Sequence, residues 1–304
     1  MTVFIAFFAN LLVAIAKSVA AALTGSASML AEAAHSWSDT GNEVFLIIAD
    51  KRSTKPRDKR HPLGYGREAY VWSMFAAFGI FTAGAVVSVM HGIQELSNPG
   101  PVESPLVAYI VLGIAFLLEG TSFVQATIQI RRQAQKVGVP PLRMLFRSSD
   151  ATLRAVVVED FAALVGLILA AGGIAMHQLT GNAVWDAVGS IAVGVLLGFV
   201  ALVLIDRNRH FLVGAASSAS LRNRIGRRLL DQSEIERVTY LHLEYVGPAR
   251  FFLVAEVDLV GNAGEDDVAA ELRRVEYAIE EHDEIEEAVL SLSVSDEKSL
   301  QFED

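Results

Sequence analysis

His35, Asp39 and Glu43 stand four residues apart in a stretch whose other residues are mostly small or apolar. On a helix, i, i+4, i+8 spacing stacks three side chains along one face. Imidazole and carboxylates without a thiol make a donor set suited to zinc or another borderline divalent cation. One polar residue in an apolar helix usually just hydrogen-bonds a neighbouring helix, but a stripe of three argues for a site. A second set, Glu159 and Asp160, lies inside Ala155-Val-Val-Val-Glu-Asp-Phe-Ala-Ala-Leu-Val-Gly166. Adjacent carboxylates in an apolar helix are costly unless a cation or protons neutralise them. Neighbouring side chains point about 100° apart. One of the two is therefore expected to face the cavity of His35 and Asp39, and the other to support it or accept a proton. Glu119 reads equally well as a link between helices or as part of a pathway. With no cysteine in the chain, any metal must be held by nitrogen and oxygen.

The elements that position these residues follow from hydropathy. The chain has 304 residues and is 52% hydrophobic, more than a soluble domain of this size uses. Its apolar residues gather in stretches of about 20, enough to cross roughly 30 Å of hydrocarbon as a helix. Six are predicted: Val3 to Leu23, Ser28 to Ala49, Ala69 to Leu96, Leu106 to Ile130, Ala155 to His177 and Ala183 to Ile205. The first lacks the basic flank of a signal peptide and reads as a true span. Lys51, Arg52, Lys55, Arg57, Lys59, Arg60 and Arg67 follow span two, and Arg131, Arg132, Lys136, Arg143, Arg147 and Arg154 lie between spans four and five. The opposite turns, at Thr24 to Ala27, Ser97 to Pro105 and Gln178 to Asn182, carry neither Lys nor Arg. Basic loops stay in the cytoplasm, so both termini are expected there.

From about residue 210 the character changes. Residues 210–304 hold 21 acidic against 9 basic residues, a net of −12, whereas residues 1–209 sum to +2. The expected division is a transmembrane domain over 1–209 and a cytoplasmic α/β domain over 210–304. Alternation predicts a helix (Ser220 to Leu230), two strands (Arg237 to Tyr245, Arg250 to Val260) around a Gly247-Pro248 turn, a helix (Glu265 to Glu281) and a strand (Glu286 to Val294). So small a domain has a marginal core, and a second copy covering its open sheet face would make a homodimer. Its acidic surface argues against nucleic acid as a partner.

The arrangement resembles the cation diffusion facilitator family of metal/proton antiporters. The resemblance rests on Thr24-Gly-Ser-Ala-Ser-Met-Leu-Ala-Glu-Ala-Ala-His35-Ser-Trp-Ser-Asp39-Thr-Gly-Asn42, on His61-Pro-Leu-Gly-Tyr-Gly66, and on Asp186-Ala-Val-Gly-Ser-Ile-Ala-Val-Gly194. It implies six transmembrane helices, a metallochaperone-like αββαβ cytoplasmic domain, a homodimer in the lipid bilayer, and alternating access to an intramembrane tetrahedral site. His35 and Asp39 match the pair that such a site takes from span two. Span five departs. If Glu159 takes the first position of the second pair, the other falls on Ala163; if Asp160 takes the second, the first falls on Val156. Water, the neighbouring carboxylate or Glu43 would have to complete the shell. Asn42 together with Glu159-Asp160 resembles a divergent branch of the family. A further loop site would keep Asp58 and His61, with Tyr65 where a second His is often found, and a binuclear cytoplasmic site would lack its ligands at Thr239, Ala255 and Ala269.

The implied activity is efflux of a divalent transition metal, zinc foremost, with Co2+, Fe2+, Mn2+, Cd2+ and Ni2+ sharing overlapping ligands. No permanently bound cofactor is implied. Metal binding needs neutral imidazole and ionised carboxylates, so metal and protons compete for one place and exchange follows. A membrane-embedded metal sensor or scaffold that binds without transporting is the rival reading. A zinc hydrolase is disfavoured because His-Glu-x-x-His is absent. The short segment before span one suggests a bacterial or archaeal inner membrane.

Overall fold

The computed structural model describes residues 2–98, 104–147, 149–215 and 217–302. Most of the turn expected between Ser97 and Pro105 lies outside these residues. Two compact units emerge. One comprises residues 1–50 and 70–209, the other residues 51–69 and 210–304.

The first unit is helical. Its elements are α1 (Thr2–Thr24), α2 (Ala27–Ser53), α3 (Glu68–Gly79), a π-helical segment (Ile80–Val86), α4 (Val87–Ser97), α5 (Pro105–Val137), α6 (Pro141–Arg147), α7 (Ala151–Thr180) and α8 (Val184–Leu212), with the ends of α2, α3 and α8 entering the second unit. Among the described residues, five stretches have the length and apolarity to cross a bilayer: Phe7–Thr24, Glu68–Ser97, Pro105–Gln135, Ala151–Thr180 and Val184–Leu212. The predicted second span, α2, has 27 residues but is interrupted by Glu32, Asp39 and Glu43 and falls short in apolarity. It buries Ala31, Glu32, Ala33, His35, Ser36, Ser38 and Asn42, so its polar residues turn inward, while Trp37 and Val44 stay exposed. The predicted third span is one continuous stretch containing the π segment, and α6 is a short helix where a loop was expected.

Small residues bring the helices together. An added Cβ would lie 2.4 Å from Ser28 Oγ at Gly189 and 3.0 Å from it at Gly173, so α7 and α8 meet backbone to backbone there with the Ser28 side chain of α2 packed against both. At Gly194 it would lie 2.7 Å from Val89 Cγ2, which lets α8 approach α4. Asp186, in the first turn of α8, caps a different helix: its carboxylate accepts from Ser26 Oγ at 2.8 Å, Ala27 N at 2.6 Å and Ser28 N at 3.3 Å, and Ser28 Oγ donates to its carbonyl at 2.8 Å. Acceptors at a helix N-terminus satisfy N–H groups that have no partner within the helix. Asp186→Ala should therefore destabilise the fold by roughly 2–4 kcal/mol, seen as a lower thermal midpoint in detergent. An unchanged midpoint would mean that α2 does not depend on this cap.

The second unit contains α9 (Ala219–Leu230), β1 (Ile235–Gly247), β2 (Arg250–Leu259), α10 (Glu265–Glu280) and β3 (Ile285–Leu292). The sheet order is β1-β2-β3, with β1 and β2 antiparallel and β2 and β3 parallel, so α10 is the crossover. Phe251, Leu253, Ala255 and Val257 bury one face of β2 against Leu221, Ile225, Leu229, Val275 and Ile279 from the two helices. The hairpin closes through Ala249 at φ 55°. Segment 51–69 packs onto this unit: Arg67 pairs with Glu244, Arg57 lies 3.7 Å from Glu280, and an added Cβ on Gly66 would lie 2.5 Å from the Val246 carbonyl oxygen.

Candidate metal centre

The polar stripe of α2 is longer than the three residues first singled out. Glu32 lies one turn before His35 on the same face, and Asn42 adjoins Glu43. His35 is 1% exposed, with Nδ1 3.5 Å from Asp39 Oδ1. Both ring nitrogens of His35 and Oδ1 of Asp39 are buried without a hydrogen-bond partner. Buried polar atoms are nearly always satisfied, so the two residues keep unused donor and acceptor capacity inside the helices.

Three helices face this stripe. From α7, Glu159 accepts a short hydrogen bond from Asn42 Nδ2 through Oε2, and its Oε1 is buried and unpartnered. Asp160 is turned to α5, where Ser122 Oγ donates to its Oδ2 at 2.6 Å. From α1, Asn10 Nδ2 donates to Glu43 Oε1 at 2.7 Å, and Lys17 Nζ donates to Glu32 Oε2 at 2.9 Å with both side chains fully buried. The charge of Asp39 interacts with Glu119 and Glu159 and, less strongly, with Lys17 and Asp160. The π segment reaches the same level: an added Cβ on its Gly84 would lie 3.4 Å from Ser38 Oγ, next to Asp39. Such segments recur where a helix must depart from regular spacing at a working site.

The structure thus brings His35 and Asp39 into a pair, sets Glu159 against Asn42, and directs Asp160 and Glu43 to other partners. It does not gather a tetrahedral set. Among the described residues, no group of three or more His, Cys, Asp or Glu side chains is close enough to hold one ion. Lys17, Glu32, Asn10 and Ser122 escaped the sequence reading. A lone lysine in the 23 residues of α1 was the available signal, and Glu32 sits three residues before His35 on the helix already under scrutiny.

The loop pair, Asp58 and His61, is engaged within its own turn. Asp58 Oδ1 accepts from the backbone N–H groups of Arg60 and His61, both at 2.8 Å, and Tyr65 donates its hydroxyl to Oδ2 at 2.8 Å. His61 Nδ1 lies 3.5 Å from Asp58 and its ring stacks near Tyr65 at 4.0 Å. Asp58 is therefore occupied in holding its own turn. The Tyr65 hydrogen bond is the main cause that keeps the Asp58 carboxyl below its ordinary range, with the two backbone N–H groups adding to it. A depressed carboxyl favours the fold above its unfolded pKa, a contribution lost as pH falls through the folded value. Tyr65→Phe should move the Asp58 titration upward, measurable by carboxyl-carbon NMR. An unmoved titration would remove Tyr65 from this account. Glu244, on the strand face of His242, is 4.0 Å from that ring but pairs closely with Arg67.

Comparison with known proteins adds an independent line. The family model described as the cation efflux transmembrane domain matches residues 3–213. Metal tolerance protein C4 of Arabidopsis thaliana is 36% identical over 233 residues, 77% of this chain and 51% of that protein. The proton-coupled zinc antiporter SLC30A9, mitochondrial, of Homo sapiens is 34% identical over 245 residues, 81% of this chain and 43% of that protein. Magnetosome protein MamB of Paramagnetospirillum magneticum is 22% identical over 242 residues. The chain spans about half the length of the first two.

Proposed function

The chain belongs to the cation efflux family, and from that premise we propose that it is an integral membrane secondary transporter, not an enzyme, which exchanges a divalent metal cation for protons. Zinc is the leading cargo. The relative from Homo sapiens is named a proton-coupled zinc antiporter, and imidazole with carboxylates suits that ion. The observation that carries the reading is the His35–Asp39 pair on α2, with both ring nitrogens of His35 and Oδ1 of Asp39 buried and unpartnered, together with the free oxygen of Glu159 on α7.

In this reading residues 1–209 form the transport domain and residues 210–304 a cytoplasmic domain that joins two copies. The basic segment after α2 faces the cytoplasm, as do both termini. Metal enters near Glu43, displaces protons at His35 and Asp39, and recruits Glu159 as α7 closes on α2. Reorientation then exposes the site to the other side, where protons displace the metal.

The test is metal-driven proton flux in proteoliposomes that enclose a pH dye, with Zn2+, Co2+, Mn2+ and Fe2+ compared. Proton movement that requires one of these metals supports exchange and identifies the cargo. Tight metal binding with no flux under any imposed gradient would sink the transporter reading and favour a membrane-bound metal sensor.

A further inference from the structure

Lys17 is the one charged residue of α1. Its ammonium is fully buried on Glu32 Oε2 at 2.9 Å, and it also interacts electrostatically with Glu119, Asp39 and His35. The other oxygen of Glu32, Oε1, is buried without a hydrogen-bond partner and lies toward α7 at Gly166, where an added Cβ would stand 2.6 Å from it. Glu32 continues the face of His35 and Asp39 toward the N-terminus of α2, about 10 Å along the helix axis from Asp39. The face that binds the cation therefore runs on past the proposed centre to a carboxylate that is half satisfied.

A buried ion pair is a poor device for stability alone, since apolar residues of the same volume hold helices together as well. Lysine also differs from arginine in carrying a compact charge on a flexible stem, which can change partners. Glu119 on α5 interacts electrostatically with both Lys17 and Glu32.

We propose that Glu32 is a second cation station on the transport route, and that Lys17 is a tethered cation which competes with the metal for it. A divalent ion leaving His35 and Asp39 takes Glu32 as the ammonium moves to Glu119, and the return of Lys17 to Glu32 expels the ion and closes the station. No covalent bond or proton transfer is required; one cation replaces another on the same carboxylate. This deepens the proposed transport function and rests on it.

The experiment compares wild type, Lys17→Gln, Lys17→Arg and the paired Lys17→Gln/Glu32→Gln variant. Zinc binding to the full-length protein in detergent is measured by equilibrium dialysis, and zinc flux in proteoliposomes. Lys17→Gln leaves Glu32 uncontested, so it should bind zinc about tenfold more tightly or hold one additional ion, while its flux falls because release is slow. The paired variant, which removes both charges, should lose the additional binding, keep the affinity of the central site, and transport about tenfold more slowly than wild type. Lys17→Arg should show wild-type binding. Equal binding in wild type and Lys17→Gln would overturn the proposal. If Lys17→Gln does not fold, unchanged flux in the paired variant would overturn it just as well, because a merely structural ion pair predicts that result. Absence of flux in wild type would instead reject the transport reading, and the dialysis comparison would still decide whether Lys17 and metal compete.

Discussion

Asp39→Ala is expected to reduce metal-driven proton flux to the level of protein-free liposomes, a loss of about 100-fold or more, since changing groups that merely orient a metal ligand already costs 10–100-fold. Asp39 supplies the negative charge of the pair; without it α2 would offer a divalent ion only a neutral imidazole. The isosteric Asp39→Asn should do equal damage, which separates loss of charge from loss of packing. His35→Ala/Asp39→Ala should be scarcely worse than Asp39→Ala, because residues that act as a unit do not contribute additively. Wild-type flux in Asp39→Asn, measured with the internal pH dye and confirmed by counterflow of labelled zinc, would remove Asp39 from the route.

The second large effect separates two adjacent carboxylates. Glu159 is buried against Asn42 of the polar stripe and keeps one oxygen free, whereas Asp160 is bound to Ser122 on α5. Glu159→Gln should therefore lower both zinc affinity and flux by about 100-fold, while Asp160→Asn should keep zinc affinity within about threefold of wild type. Isothermal titration on the two variants decides the matter. If Asp160→Asn loses the affinity and Glu159→Gln retains it, the facing carboxylate has been assigned to the wrong residue.

Much of the architecture was legible because apolar runs and strict alternation report burial directly. Leu241 and Leu243 are buried where alternation placed them on one strand face, and the Gly247-Pro248 turn does separate β1 from β2. The π segment was not legible: Ile80 to Val86 contains no proline, and one additional residue in a helical turn leaves an evenly apolar sequence looking the same. Nor could the attachment of residues 51–69 to the second unit be read, because a basic, polar segment looks like any solvated loop until Arg67 meets Glu244. In the candidate site, type and spacing identified the α2 stripe, but partners such as Lys17 and Glu32, or Asn42 and Glu159, come from different helices. Sequence distance says nothing about those meetings. Lys17 could be seen as costly in an apolar helix, yet its counter-charge could not be assigned without the packing of α1 on α2.

Asp186 constrains how α2 can move. Its carboxylate fastens the start of α2 to the start of α8 through several hydrogen bonds at once, and Gly173 and Gly189 leave no slack around Ser28. Sliding α2 along its own axis would break all of these bonds together, whereas tilting about that end would break none. The joined ends of α2 and α8 thus act as a pivot. Displacement grows with distance from it, so it is small at Glu32, larger at His35 and Asp39, and largest at Glu43. A modest rocking of α2 would then displace the Glu43 end of the polar stripe several times farther than the Glu32 end.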